Sequence, residues 1–156
     1  MKKLLLFLLL PTAAISQQVN LMVSVYEDGK ALENATIEVK NHGQVLVSES
    51  TTNTGQIALI VPLGYDYMIQ FSKEGYVSQM AHFDGQAPAG KQLPGTVNLQ
   101  IELEVFRNCE AGKYDFLKEE PVIGYRFDSI MNVVSDDQYK HQMDLKVSAA
   151  HFANLS

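Results

Sequence analysis

The chain has 156 residues, 46% of them apolar, enough for one ordinary core without staples, and its single cysteine, Cys109, excludes an internal disulfide. Twelve basic side chains stand against eighteen acidic ones, a net charge of −6, which argues against nucleic acid as a partner because such binding needs a basic surface to displace counterions. With no histidine beside it in sequence, Cys109 reads as an incidental or buried thiol rather than a nucleophile or an intermolecular bridge.

The N-terminus, MKKLLLFLLLPTAAISQQ, sets Lys2 and Lys3 before an unbroken apolar run from Leu4 to Leu10, with small residues following. This predicts a secretory signal peptide over residues 1–16, cleaved after Ser16. Spanning a bilayer takes about 20 apolar residues, so no transmembrane anchor is expected after cleavage, and no cysteine stands near the cleavage site to take a lipid. The mature protein is expected to be exported, in the periplasm or at the cell surface, with ten basic side chains left against the eighteen acidic ones.

Val19, Leu21, Val23 and Val25 alternate with polar or tolerant positions and predict the first strand, closed by the turn Glu27-Asp28-Gly29-Lys30. Ile37 and Val39 mark a second strand. Asn41-His42-Gly43 is the next turn, and Val45 and Val47 mark a third strand. From Thr51 to Tyr76 two alternating apolar runs are punctuated by Gly55, Gly64 and Gly75, with Pro62 ending the first because it cannot donate to a central ladder. In the second run Tyr65, Tyr67, Ile69 and Phe71 fall two apart and are assigned to the core face, opposite Asp66, Gln70 and Ser72. Tyr76 to Phe83 reads as a sixth strand with Val77, Ala81 and Phe83 on one face. Asp84 to Gly95 is too rich in glycine and proline to hold a strand; as the longest loop of the sandwich it is where a binding function would sit, but the favoured reading is a solvated connection. Val97, Leu99, Ile101, Leu103 and Val105 then alternate in what reads as the longest strand of the chain. Turns every eight to twelve residues are themselves the mark of an all-β sandwich.

Beyond Phe106 the pattern changes. Pro121 to Asp128 reads as extended, with Ile123, Tyr125 and Phe127 facing one way. Ser135 is a suitable N-cap, and Asp136 and Asp137 suit the first turn of a helix. Tyr139, Met143, Val147 and Ala150 recur at helical spacing, which predicts a helix from about Asp136 to Phe152 whose stripe docks on the sandwich or on a partner.

The Thr54-Gly55-Gln56-Ile57 strand opening, the Pro62-Leu63-Gly64-Tyr65 turn, the ending Lys73-Glu74-Gly75-Tyr76 and the upstream segment Asp28 to Ile37 resemble the carboxypeptidase regulatory-like domain over residues 19–106. That resemblance implies a seven-stranded antiparallel transthyretin-like β-sandwich, here over residues 17–106, with residues 107–156 as an extension ending in one α-helix. The tail, with Pro121-Val122, Tyr125-x-Phe127-Asp128 and Asp137-Gln138-Tyr139, is similar to the segment that follows such sandwiches in exported proteins of the Bacteroidota. Some of those relatives belong to secretion and gliding-motility systems. In the carboxypeptidase family the zinc and catalytic glutamate lie in a separate peptidase domain, for which this chain has no room.

The residues themselves argue against chemistry. His42, His82, His141 and His151 lack ligand spacing; His82 with Asp84 is a weak metal candidate, and Asp28, Asp66 and Asp84 are weak calcium candidates without a D-x-D-x-D-G loop. There is no Gly-x-Ser-x-Gly elbow. No cofactor and no metal are expected. The reading is therefore a non-enzymatic exported cell-envelope module acting by protein contacts, through a sheet edge or the helix stripe Tyr139, Met143, Val147 and Ala150. The alternative is a small carbohydrate-binding domain using the Asp84–Gly95 loop and turn tyrosines Tyr26 and Tyr76, and a cryptic hydrolase centred on His82 ranks last.

Overall fold

The computed structural model describes residues 16–108 and 112–153. The predicted signal peptide and Cys109 lie outside these residues, apart from Ser16. Two sheets face each other. In the first, the ten-residue β1 (Gln18–Glu27) is central, flanked on one side by β8 (Thr96–Glu104) and on the other by β5 (Gln56–Pro62), with the two-residue β2 (Lys30–Ala31) continuing past the start of β5. The second sheet has the order β10 (Val133–Ser135), β9 (Ile123–Phe127), β7 (Gln79–Asp84), β6 (Asp66–Ser72), β3 (Thr36–Asn41), β4 (Gln44–Ser50). Helix α1 (Asp137–Phe152) follows β10.

Period-2 alternation decides which side chains meet between the sheets. Val19, Leu21, Val23 and Val25 of β1 face Ile37, Val39, Tyr67, Ile69, Phe71, Ala81 and Phe83 of the second sheet, and all are at most 2% exposed. From β8, Val97, Leu99, Ile101 and Leu103 join the same core while Thr96, Asn98, Gln100, Glu102 and Glu104 face water. Two hairpins close as the sequence requires: Asp28-Gly29 and His42-Gly43 both have positive φ at both central positions, the pairing that matches strand twist.

The expectation of seven antiparallel strands is corrected to ten strands among the described residues, in mixed sheets. β1 and β8 run parallel over nine positions, from Gln18↔Thr96 to Tyr26↔Glu104, and β7 and β9 run parallel from Ala81↔Ile123 to Asp84↔Arg126. Parallel neighbours need a long crossover, and the chain supplies it: residues 85–95 cross from the second sheet to the first at the end where β1 begins, held by Gln18 N–H to the Gly95 carbonyl at 3.0 Å. The extension then adds β9 and β10 beyond β7. β1, not β8, is the longest strand, because its last residues extend past β5 to pair with β2.

Three local expectations change. Tyr65 precedes β6 in the turn and is 52% exposed, so its ring is not core although Tyr67, Ile69 and Phe71 are. The sixth predicted strand begins at Gln79 rather than Tyr76; Tyr76 makes an isolated bridge with Arg107, and Val77 packs into a second apolar cluster. The N-cap of α1 is Asp136, which accepts from the Tyr139 N–H at 2.9 Å, while Ser135 closes β10 and donates its hydroxyl to Asp137.

Gly55 shows why a strand can open only in one way. It sits at φ +72°, and a Cβ there would meet the Val25 carbonyl at 2.7 Å and the Leu32 N at 2.9 Å. Gly43 has a similar φ of +80° with nothing within 4 Å. Gly43→Ala is therefore expected to cost only the left-handed penalty, about 1–2 kcal/mol, whereas Gly55→Ala should cost clearly more because backbone must also shift; urea denaturation midpoints of the two variants measure the difference.

Candidate interaction surfaces

The helix stripe named above is turned inward. Met143 is 3% exposed and joins Val77, Tyr114 and Leu117 in the second cluster, with Tyr139, Val147 and Ala150 half-buried around it beside Phe106 and Phe116. The Tyr139 hydroxyl donates to the Pro121 carbonyl at 2.7 Å. Leu145 and Phe152 remain exposed on the same helix, at 58% and 60%. The stripe thus docks on its own chain, and the 3₁₀ turn Asp115–Lys118 supplies Leu117 to receive it.

Tyr76 is also a structural group in this fold. It is 9% exposed, its ring lies edge-on to Phe71, and its hydroxyl donates to Glu27 Oε2 at 2.7 Å. Arg107 Nε donates to Glu27 Oε1 at 2.9 Å, and the guanidinium carbon sits 5.0 Å from the Tyr76 ring centroid. The Tyr76 hydrogen bond and then Arg107 hold the Glu27 carboxyl below its ordinary range, and the same hydrogen bond pushes the Tyr76 phenol up. This clamp ties the end of β1 to the approach to β7 and the exit from β8. Tyr26 is half-buried one residue away, its carbonyl accepting from Val105.

The Asp84–Gly95 loop is tied down along its length. Gly85 N–H donates to the Tyr65 carbonyl, Gln86 N–H to Asp84 Oδ1, Lys91 N–H to the Pro88 carbonyl, and Gln17 Nε2 to the Leu93 carbonyl. Beside it stands the exposed Tyr65. His82 pairs with Asp66 across β6 and β7. Asp84 caps a turn and Asp28 forms one. Among the described residues no three His, Cys, Asp or Glu side chains are grouped so that they could hold a metal ion. No helix among those residues is long and apolar enough to cross a membrane.

Two of the grooves among the described residues border the first sheet. One, of about 350 Å³, lies between β8 and α1 and is lined by Gln79, Glu102, Glu104, Phe106, Val122 and Met143 among others; Lys140 on its rim is paired with Asp144 at 2.7 Å. The other, of about 370 Å³, lies on the solvent side of the first sheet, along Asn20, Met22, Ala58, Ile60, Asn98 and Gln100. Asn20 Nδ2 donates to Asn98 Oδ1 and Gln18 Nε2 to Asn20 Oδ1, both at 3.0 Å. No charged residue lines this second groove, and Ile60 is 66% exposed there. The sequence carried the signal for it in the uncharged alternate positions of three strands, but only pairing shows that those positions are neighbours.

β5 is the margin of this sheet. The Val25 N–H donates to the Gly55 carbonyl and the Leu63 N–H to the Gln17 carbonyl, at 2.8 and 2.9 Å, in the same register as Val23↔Ile57 and Leu21↔Leu59. In an antiparallel pair hydrogen-bonded positions alternate, so the odd-numbered residues of β5 bond to β1 and the even-numbered ones face outward.

No protein-family model matches the chain. The chain is similar to S-layer protein B of Acidianus ambivalens, 31% identical over 97 residues that make up 58% of this chain and 19% of that protein. It therefore spans under a fifth of that relative's length. Among solved structures, the TIE protein of Bacillus anthracis is similar with a TM-score of 0.46 at 18% identity, over 58% of this chain and 16% of that one. Chlorocatechol 1,2-dioxygenase from Pseudomonas putida is similar at 0.45 and 11% identity, over 62% and 63%. Scores of this size bear on neither activity nor ligand.

The clamp makes a pH prediction. A carboxyl whose folded pKa is depressed contributes stability that is present above its unfolded value and is lost as pH falls through the folded one. Tyr76→Phe is expected to move the Glu27 titration up toward its ordinary 4.5 and to flatten the acid limb of stability; side-chain carboxyl NMR across an acid titration reads the shift, and an unmoved Glu27 would show that Tyr76 does not set it.

Proposed function

We propose that this chain is a non-enzymatic β-sandwich module of an exported cell-envelope assembly, working by protein contacts in the periplasm or at the cell surface. The observation that carries this reading is the uncharged groove on the β5 side of the first sheet's solvent face, on a chain of net charge −6, with Ile60 at its margin. Exposed apolar area without a ring of charge is what a protein contact uses. The 31% identity to a protein named as an S-layer component supports a surface setting, as does the signal-like N-terminus. The carboxypeptidase regulatory-like identity is part of the same proposal and rests on the turn residues around Asp28-Gly29, Gly55 and Gly64.

The test is fractionation of cells carrying the chain with a photo-crosslinking residue at position 60 or, as a control on the β3–β4 turn of the second sheet, at position 42. The chain is expected in the envelope or surface fraction, with a protein adduct from position 60 and little from position 42. Recovery in the cytosol, or equal adducts from both positions, would sink the reading.

A sugar-binding reading keeps one support, the half-exposed ring of Tyr65 beside the Asp84–Gly95 loop, since stacking on a sugar needs an open aromatic face. It is expected to gain nothing from a glycan array; retention on a polysaccharide that disappears in Tyr65→Ala would favour it over the protein-contact reading.

A further inference from the structure

β5, Gln56–Pro62, reads QIALIVP and contains no charged residue. Edge strands of soluble proteins are ordinarily blunted by charge, bulges or shortness. The other exposed edge of this kind, β4, follows that rule: its pairing with β3 is broken by a bulge between Val39 and Lys40, and it carries Glu49. β5 has only Pro62 at its end.

The outward backbone groups of β5 are specific in what they leave open. The Gln56 carbonyl is taken by Thr52, through its N–H at 3.0 Å and its hydroxyl at 3.1 Å. The Pro62 carbonyl accepts from the Tyr67 hydroxyl at 2.6 Å, and Pro62 has no N–H. Between these occupied ends, the N–H and C=O of Ala58 and Ile60 face outward with no strand beside them among the described residues.

We propose that this edge is a homotypic docking site, in which a second copy of the chain lays its own β5 antiparallel against it about a two-fold axis at Leu59. In that register Ala58 faces Ile60 of the copy and Ile60 faces Ala58. Each pair exchanges two N–H to C=O bonds, so the N–H and C=O of Ala58 and Ile60 on each strand are satisfied together. On the solvent face a large side chain meets a small one, Ile60 against Ala58. On the inner face Leu59 meets Leu59 and Ile57 meets Val61, which joins the two cores; Ile57 is half-buried in the single chain, while Leu59 and Val61 are 6% and 3% exposed.

The self-complementary register of Ala58 and Ile60, together with the lack of charge, argues for the copy as occupant. An isologous contact sets each patch against itself, so on a net acidic chain it needs a patch without acids. Gln18, Asn20 and Met22 flank β5 on its solvent face, and Glu102 and Glu104 lie on β8, the far strand of the sheet. The inference rests on the protein-contact reading and names its partner.

Sedimentation velocity on the naturally processed protein tests it, over micromolar to hundreds of micromolar concentration. A monomer–dimer equilibrium is expected, little affected by salt. Ile60→Lys should weaken it by about 100-fold or more, since it sets a lysine against Ala58 of the copy with the second lysine diagonally across the axis, and Ala58→Pro should weaken it by removing a donor that the monomer does not use. Leu46→Lys, on the exposed β4 edge, should leave it unchanged. Far-UV circular dichroism checks that each variant is folded, and amide exchange needs no variant: Ala58 and Ile60 should be protected in concentrated samples and open in dilute ones. A monomer at every concentration, or a dimer indifferent to Ile60→Lys and Ala58→Pro, overturns the proposal. A monomer that nevertheless cross-links in the envelope would remove this inference and leave the broader reading, and a dimer confined to the cytosol would do the reverse.

Discussion

The pairing of β1 with β8 is the constraint on which the rest of the molecule depends. It runs parallel over nine positions between segments far apart in the chain; the Asn20–Asn98 side-chain bond on its outer face spans 78 residues. A parallel pair cannot be made by a turn, so this one closes a long stretch of chain, from β2 through the Asp84–Gly95 crossover. Its four inward β1 side chains, Val19, Leu21, Val23 and Val25, are at most 2% exposed. Burying each contributes about 1.5–3 kcal/mol, and β1 places all four against the second sheet only because it is held on both sides.

Holding β1 on both sides determines the margins of the sheet. β8 and β5 become its edges, and they meet different fates. The β8 edge lies beside α1, with the Gln79 side chain donating to the Glu104 carbonyl at 3.3 Å and a groove rimmed by Glu102, Glu104 and Asp144. The clamp of Glu27, Tyr76 and Arg107 fastens the same corner. Among the described residues β5 has no comparable cover. The extension serves the second sheet instead, adding β9 and β10 beyond β7 and burying Leu117 and Met143 against Val77. The stripe on α1 is thus consumed within the chain, and the exposed, uncharged margin of the first sheet is what is left for a neighbour.

Strand existence was legible because alternation is a local property. Val19 to Val25, Tyr67 to Phe71 and Val97 to Leu103 each announce a buried face without knowledge of any partner, and Gly29, Gly43 and Gly55 mark turns because their backbone conformations favour glycine. The helix was legible for the same reason, since the 3.6-residue period is written in Tyr139, Met143 and Val147. The cap was missed by one residue: Ser135 and Asp136 are both good caps by type, and the choice fell to the β10–β9 pairing, which takes Ser135 as Tyr125's partner. Tyr65 was misassigned because period 2 does not say where a strand begins, and the strand starts one residue later at Asp66. Tyr76 and the loop after Asp84 were named as places for a ligand because aromatics at turns and long loops are where ligands are met; the first is filled by Glu27 and Arg107, and the second is tied by its own backbone.

By itself the sequence determined a β-sandwich with a helical tail, its turns, its acidic balance and the absence of any local catalytic signature, because each follows from spacing, residue type or charge along a few neighbouring positions. Only the tertiary structure decided that the sheets are mixed, that the helix stripe faces inward, and that Ala58 and Ile60 form an open edge beside Asn20 and Met22. Those features depend on which strands lie side by side, and strand order is set by closure of distant segments around one core, a property no short stretch of the chain contains.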